Sequence, residues 1–358
     1  MRLPATLLVL SLALAGCFAG PQEDAMEPEP AAPNVTIDEA RPEPTFGELT
    51  LTPAAGDFNA TLDAPPKWVA GEWWRYHFTS PLTGVDVSFV KVVGAVDGTT
   101  YVVGMPHEAW YKEAVVYHTP CFGDVVAEHL GCRAHNIPFV PLQFPLTEGA
   151  TWVTQFERPP DLTATVSVIS PTEAEILFTD PNGNVQIRQD YDASIHEVRI
   201  FEQATAVYEI VEHGYGFEGW ITIPRGEQLI FEHGRLGAPL VGLNGMPGTP
   251  TEEIEVSGGF NRMSFILAVG NALGVDQGGA YRETATAPDG TTYSAESIPG
   301  GPLVIEFYEH KDPDGTWSLE HIAAGPGIAF IEGIAYHQYD IHLPSGDIRA
   351  DHSHEVIR

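Results

Sequence analysis

Five residues of metal-binding type fall close together in the chain: His118, Cys121, His129, Cys132 and His135. Their short spacings suit a zinc or copper site. Cys121 and Cys132 also admit a second reading. They are the only cysteines after position 17, and an even pair in an oxidising compartment forms a disulfide. Such a bond closes a loop of about a dozen residues, worth roughly 3 kcal/mol if the main effect is lost entropy of the unfolded chain. The disulfide is the expected state, because thiolates outside the cell oxidise unless metal reaches them first. A second histidine-rich stretch holds His337, His342, His352 and His354, with Asp340, Asp347 and Asp351 among them. His352 and His354 could hold a soft divalent ion in extended geometry, but a solvated tail accounts for them equally well, and no metal is assigned.

Other chemistry-bearing patterns are incomplete. No G-x-S-x-G elbow, phosphate loop or dinucleotide fingerprint occurs, so no cofactor is expected. His107, His196 and His354 each precede a glutamate, but none has a second histidine four residues on. Asp180, Asn182 and Asn184 resemble half a calcium loop, yet Val185 stands where the loop needs glycine, so a hairpin turn is expected there. The tryptophans at 68, 73, 74, 110, 152, 220 and 317 could form platforms for carbohydrate or lipid, or anchor sheets from within. Burial is the expected use.

The start of the chain carries a different signal. Arg2 precedes an almost wholly apolar run, Leu3 to Ala15, too short to cross a bilayer and suited to a signal peptide. Leu14-Ala15-Gly16-Cys17 then reads as a lipobox, which predicts cleavage before Cys17 and lipid on its sulfur. Since one acyl chain holds only weakly, two are expected. The predicted location is extracytoplasmic, on the outer face of the cell membrane, with the lipid as the membrane contact. Residues 17–60 form an acidic, proline-rich tether, extended by self-repulsion. Asn34 and Asn59 each stand in an N-x-[ST] sequon and are candidate glycosylation sites.

Charge excludes one class of partner. With 49 acidic and 17 basic residues the formal charge is −32. Only four lysines are present, at 67, 91, 112 and 311. Nucleic acid is not expected, because phosphate binding needs clustered cations. The acid surplus resembles that of proteins from salt-adapted microbes.

From Trp68 onward, short β-rich runs recur, broken by Gly, Pro and Asp, which predicts an all-β antiparallel fold. An antiparallel domain is expected over 61–250, a small β-sandwich of jelly-roll or immunoglobulin type over 253–350, and a tail over 351–358. Gly242–Thr251 reads as the boundary, and Asp124–Leu130, stopped by Gly131, as a short helix.

Four phrases carry a resemblance: Gly71-Glu-Trp-Trp-Arg-Tyr76, Phe144–Trp152, Tyr191-Asp-Ala-Ser-Ile-His-Glu-Val198, and Glu212-His-Gly-Tyr-Gly-Phe217. Together they resemble a family of secreted, mostly archaeal β-rich lipoproteins of unassigned activity, over about 70–235. Residues 257–345 are similar to the sandwich modules of pre-peptidase C-terminal type, through Asp314-Gly-Thr-Trp-Ser-Leu319 and Tyr336–Leu343. Neither resemblance supplies catalytic residues; the anchor, the acidic stalk, the two β regions and the missing catalytic signature lead to the expectation of a non-enzymatic surface lipoprotein that binds a ligand or an envelope partner. A secreted hydrolase or its accessory subunit, and a metal-binding lipoprotein, are the alternatives.

The charge balance sets an expectation for solution behaviour. Raising salt from about 0.1 M to about 1 M shortens the screening length from roughly 10 Å to 3 Å and should relieve self-repulsion. The thermal midpoint in calorimetry is expected to climb with added KCl. A flat or falling midpoint would count against a self-repelling fold.

Overall fold

The computed structural model describes residues 61–79, 86–106, 121–132, 139–156, 158–203, 206–236, 251–270, 280–297, 304–324 and 328–349. Cys17, the tether, Asn34, Asn59, Trp110, His118, His135, His352 and His354 lie outside them. The described chain is all-β, as its period-2 alternation predicts. No helix among the described residues is long and apolar enough to cross a membrane.

The first strands are β1 (Trp73–Thr79), β2 (Asp86–Asp97), β3 (Thr100–Pro106), β4 (Gly123–Val126) and β5 (Thr151–Phe156). There follow β6 (Arg158–Val168), β7 (Glu173–Thr179), β8 (Val185–Asp192), β9 (Glu197–Gln203) and β10 (Ala206–Gly214). A long strand, β11 (Gly219–Leu236), leads to β12 (Thr251–Val256), β13 (Arg262–Gly270), β14 (Ala280–Thr286) and β15 (Thr292–Ser297). The last are β16 (Val304–Lys311), β17 (Gly315–Ala324), β18 (Ile328–Leu343) and β19 (Asp347–Arg349).

One sheet runs in the order β16-β13-β18-β11-β3-β2-β1-β10-β9-β8-β7-β6-β5, with β4 on β3 and β19 on β18. A four-stranded sheet, β12-β17-β14-β15, stands apart from it. All described pairings are antiparallel. Inward positions recur every second residue, as Trp74, Tyr76 and Phe78 on β1 illustrate. These join Phe89, Phe178, Phe201 and Tyr208 in one large aromatic core on the buried face of the N-terminal strands. The four-stranded sheet packs over β13 and β18, enclosing Phe265, Trp317, Leu319 and Ile331 as a sandwich core.

The two regions share a sheet rather than a linker. β11 pairs along its length with β18, and Ile221 and Thr222 pair with Pro106 and Met105 of β3. A third core, Val92, Val102, Ile221, Ile223 and Ile341, fills the contact behind β2 and β3. Two glycines permit that approach. A Cβ on Gly104 would stand 2.2 Å from the Thr222 carbonyl oxygen, and one on Gly94 would stand 2.7 Å from the Ile221 side chain. β2 is therefore buried on both faces at this point, which a half-buried strand pattern does not predict.

The expected helix over Asp124–Leu130 is absent. Gly123–Val126 is strand β4, paired with Thr100–Val103 of β3, and residues 127–129 turn back. Val125 is fully buried in the main core, and tertiary pairing outweighs the local helical signal. Leu130 takes a positive φ of 57°, which ends the turn. Of the boundary expected at 242–251, residues 242–250 lie outside the described residues, and Thr251 opens β12, whose residues pair with β17. The Asp180–Asn184 segment is the expected hairpin turn: Asp180 Oδ1 accepts hydrogen bonds from the backbone N–H of Asn182 (2.8 Å) and Asn184 (2.9 Å).

Substituting Gly104→Ala pushes a methyl into backbone that cannot give. The expected loss is about 1–3 kcal/mol, read as a lower urea midpoint with unchanged slope. A variant as stable as the parent would mean that β3 and β11 are not this close.

Candidate functional site

Three of the four phrases singled out above, 71–76, 191–198 and 212–217, meet in the aromatic core. Gly71 begins the arrangement: its N–H donates to the Val93 carbonyl and its carbonyl accepts from Phe217 N–H. The left-handed φ of 82° at Gly71 suits glycine. Glu72 follows with no exposed surface. Its Oε1 receives His196 Nδ1 at 2.9 Å and His213 Nε2 at 3.0 Å, while Oε2 receives the Val69 N–H at 3.2 Å. A buried carboxylate needs such partners, because an unpaired one costs several kcal/mol.

Each partner arrives by a local device. Asp192 caps a 3-10 turn, Ala193–Ile195, by accepting the Ser194 N–H, and the turn ends on His196 in the left-handed region at φ 60°. That conformation is uncommon for a residue with a Cβ. It is held by the carboxylate on the ring and by Trp68 Nε1, which donates to the His196 carbonyl at 2.8 Å. Trp74 Nε1 donates to the neighbouring Ile195 carbonyl at 2.7 Å. His213 comes from β10. Arg75 pairs with Glu212 but Tyr76 with Ile210, so Val211 is an extra residue in a β-bulge. The bulge flips the side-chain parity. His213 therefore lies opposite inward-facing Trp74, and the two rings stack at 5.6 Å and 13°.

Glu197, directly after His196, serves a second pair. Its Oε2 lies 2.5 Å from Lys91 Nζ, and both side chains are almost fully buried. The ammonium also lies over the rings of Trp68 (4.5 Å) and Trp74 (5.5 Å), within cation–π range. Lys91 stands on β2 between inward-facing Phe89 and Val93, at a position whose neighbours on that face are apolar. Burial lowers its pKa, and the Glu197 carboxylate opposes that shift. Tyr101 ties in the incoming chain: its hydroxyl donates to the Pro66 carbonyl at 2.9 Å and accepts the Trp68 N–H at 3.3 Å.

The geometry supplies a carboxylate with two imidazole donors and a lysine held by a carboxylate between indoles. These groups bond chiefly to one another, so the arrangement acts as a polar tie joining β1, β2, β9, β10 and the 192–197 turn. Sequence reading noted the phrases but assigned them no roles. Lys91 carried a usable signal, a charge at an inward parity. His213 carried none, because the bulge reverses its face.

The residues expected to do chemistry fare differently. Cys121 and Cys132 are joined in a disulfide, with Cα atoms 5.3 Å apart, and the bond braces β4 and its turn. His129 Nδ1 accepts the Gly131 N–H at 3.0 Å within that turn, and burial lowers its pKa. No group of three or more metal-ligating side chains occurs among the described residues. Trp68, Trp74, Trp152 and Trp317 are buried anchors, and Trp73 and Trp220 are half-buried. In the sandwich, Asp314 Oδ2 accepts the Gly259 N–H at 2.8 Å and Trp317 Nε1 donates to the Pro313 carbonyl at 2.8 Å, which gives that phrase a folding role.

No family model and no curated protein matches this chain. Among solved structures it is similar to a Bacillus licheniformis lipase in propeptide form, at 13% identity and a TM-score of 0.18, covering 36% of this chain and 24% of the lipase. A carbohydrate-binding module in complex with β-1,4-galactotriose matches at 14% identity and a TM-score of 0.15, over 36% of this chain and 69% of the module. An exo-β-1,3-galactanase from Phanerochaete chrysosporium matches at 9% identity and a TM-score of 0.18, over 73% of this chain and 68% of the enzyme. The chain thus spans about a quarter of the lipase. Identities and TM-scores of this size carry no functional inference.

Two outcomes follow from the tie. Lys91→Met leaves Glu197 buried without its cation and should cost about 3–5 kcal/mol, whereas the double change with Glu197→Leu should recover most of that loss. Equal losses in chemical denaturation for the single and double variants would show that the pair is not coupled. The second outcome concerns alkali. Burial raises the pKa of Tyr76 and Tyr191 and, with the charge of Glu72, pushes Tyr215 up to about 12. Unfolded tyrosines ionise near pH 10, so above that pH the folded state binds more protons and stability falls as pH rises. Lys91 works in the opposite direction, as one group against three. Denaturant midpoints are therefore expected to drop between about pH 10 and 12. A rising midpoint would contradict the burial of these hydroxyls.

Proposed function

We propose that this chain is an exported lipoprotein, anchored through Cys17 to the outer face of the cell membrane. Its folded part is then a non-enzymatic β scaffold that binds an envelope partner or a ligand. The observation that carries the anchoring is Leu14-Ala15-Gly16-Cys17 at the end of a short apolar run. The Cys121–Cys132 disulfide supports the same reading, because such bonds persist in oxidising surroundings. Support for a scaffold comes from the Glu72 and Lys91 pairs, whose hydrogen bonds go to protein groups rather than to an open cleft. A tether rich in acid and proline would hold this scaffold away from the lipid surface.

The decisive experiment compares the full chain with Cys17→Ser in detergent phase separation after expression in a host that lipidates exported proteins. The parent is expected in the detergent phase and the variant in the aqueous phase. Identical partitioning of the two would sink the anchor.

A further inference from the structure

A small cavity adjoins the Lys91–Glu197 pair in the aromatic core. Tyr76, Lys91, Gln189, Glu197, Cys121 and Leu130 are among the residues that line it. Its volume of about 30 Å³ has room for about two waters. That is too little for a sugar, a nucleotide or a lipid chain.

The wall is polar where it need not be. Gln189 is 1% exposed and Tyr76 2%. Gln189 Oε1 reaches no protein hydrogen-bond partner, and the Tyr76 hydroxyl faces the Glu197 carboxylate. An ammonium has three N–H donors, and the hydrogen bond of Lys91 to protein goes to Glu197. The cavity therefore presents an acceptor on Gln189, a hydroxyl on Tyr76 that can serve either way, and donors on Lys91. A ligand that answers all three must be very small and must both donate and accept. Water has that chemistry and that size.

We propose that this cavity is a built hydration site, holding two ordered waters that link Lys91, Tyr76 and Gln189. The waters complete the solvation of the buried ion pair. Cys121 and Leu130 of the lining belong to the segment closed by the Cys121–Cys132 bond. Reduction of that bond should loosen the wall and shorten the residence time of the waters.

The test uses the full chain purified in detergent. A crystal structure at high resolution is expected to show two peaks in the cavity, each within about 3.2 Å of two or more of Gln189 Oε1, Tyr76 Oη and Lys91 Nζ. Water-oxygen magnetic relaxation dispersion should count long-lived waters in the parent and fewer in Gln189→Leu. If that variant does not fold, Tyr76→Phe removes one oxygen and should give the same loss. Reduction is expected to shift the dispersion of the parent to shorter residence times. A dry cavity, a cavity filled by a side chain or a buffer molecule, or dispersion unchanged in the variants would each overturn the proposal.

Discussion

A carboxylate with no access to water must be satisfied by protein, and Glu72 imposes that constraint on the strands around it. Its two imidazole partners sit 124 and 141 positions away along the chain. Bringing them together requires that β1 lie between β2 and β10, that the 192–197 turn fold back over the core, and that β10 carry a bulge. The surrounding indoles fix the same turn from the other side, through hydrogen bonds to the Ile195 and His196 carbonyls. Hydrophobic burial would be satisfied by several registers of a twisted sheet. A two-residue slip would keep the apolar face buried but carry His213 away from Glu72, so the polar tie selects among registers of equal parity.

Much of the fold was legible because the strands alternate with a period of 2. Trp74, Tyr76 and Phe78 announce a buried face on β1, and the Asp180–Asn184 turn announces the β7–β8 hairpin. The failures have physical causes. Asp124–Leu130 has a helical look, but Val125 fits a gap in the aromatic core and its backbone pairs with β3. β11 and β18 are each one long strand, in which the register shifts between Arg225 and Gln228 and between Leu229 and Phe231 interrupt the alternation without ending the strand. The close passage of β11 over Gly94 and Gly104 leaves no trace in hydrophobic periodicity.

The site was legible in part. The phrases that looked conspicuous turn out to supply Glu72, His196, Glu197 and His213, so their unusual composition reflects the tie. Lys91 could have been found, because it interrupts the inward row Phe89, Lys91, Val93 on a chain with only four lysines. Of the three described lysines, Lys67 and Lys311 are exposed and Lys91 is buried. Of the histidines at 118, 129 and 135, which drew attention by spacing alone, His129 is the described one, and its Nδ1 is occupied by the Gly131 N–H.

Two electrostatic regimes coexist in this molecule. Outside, a large excess of carboxylates repels itself through solvent, and mobile ions weaken that repulsion within a few ångströms. Inside, Lys91 and Glu197 lie beyond the reach of those ions, as do Glu72 and His196. Salt can therefore relieve the surface without loosening the core. An exposed ion pair would lose strength under the same conditions. Ties placed where ions cannot enter keep their strength as salt rises, and the Cys121–Cys132 bond, being covalent, is indifferent to screening.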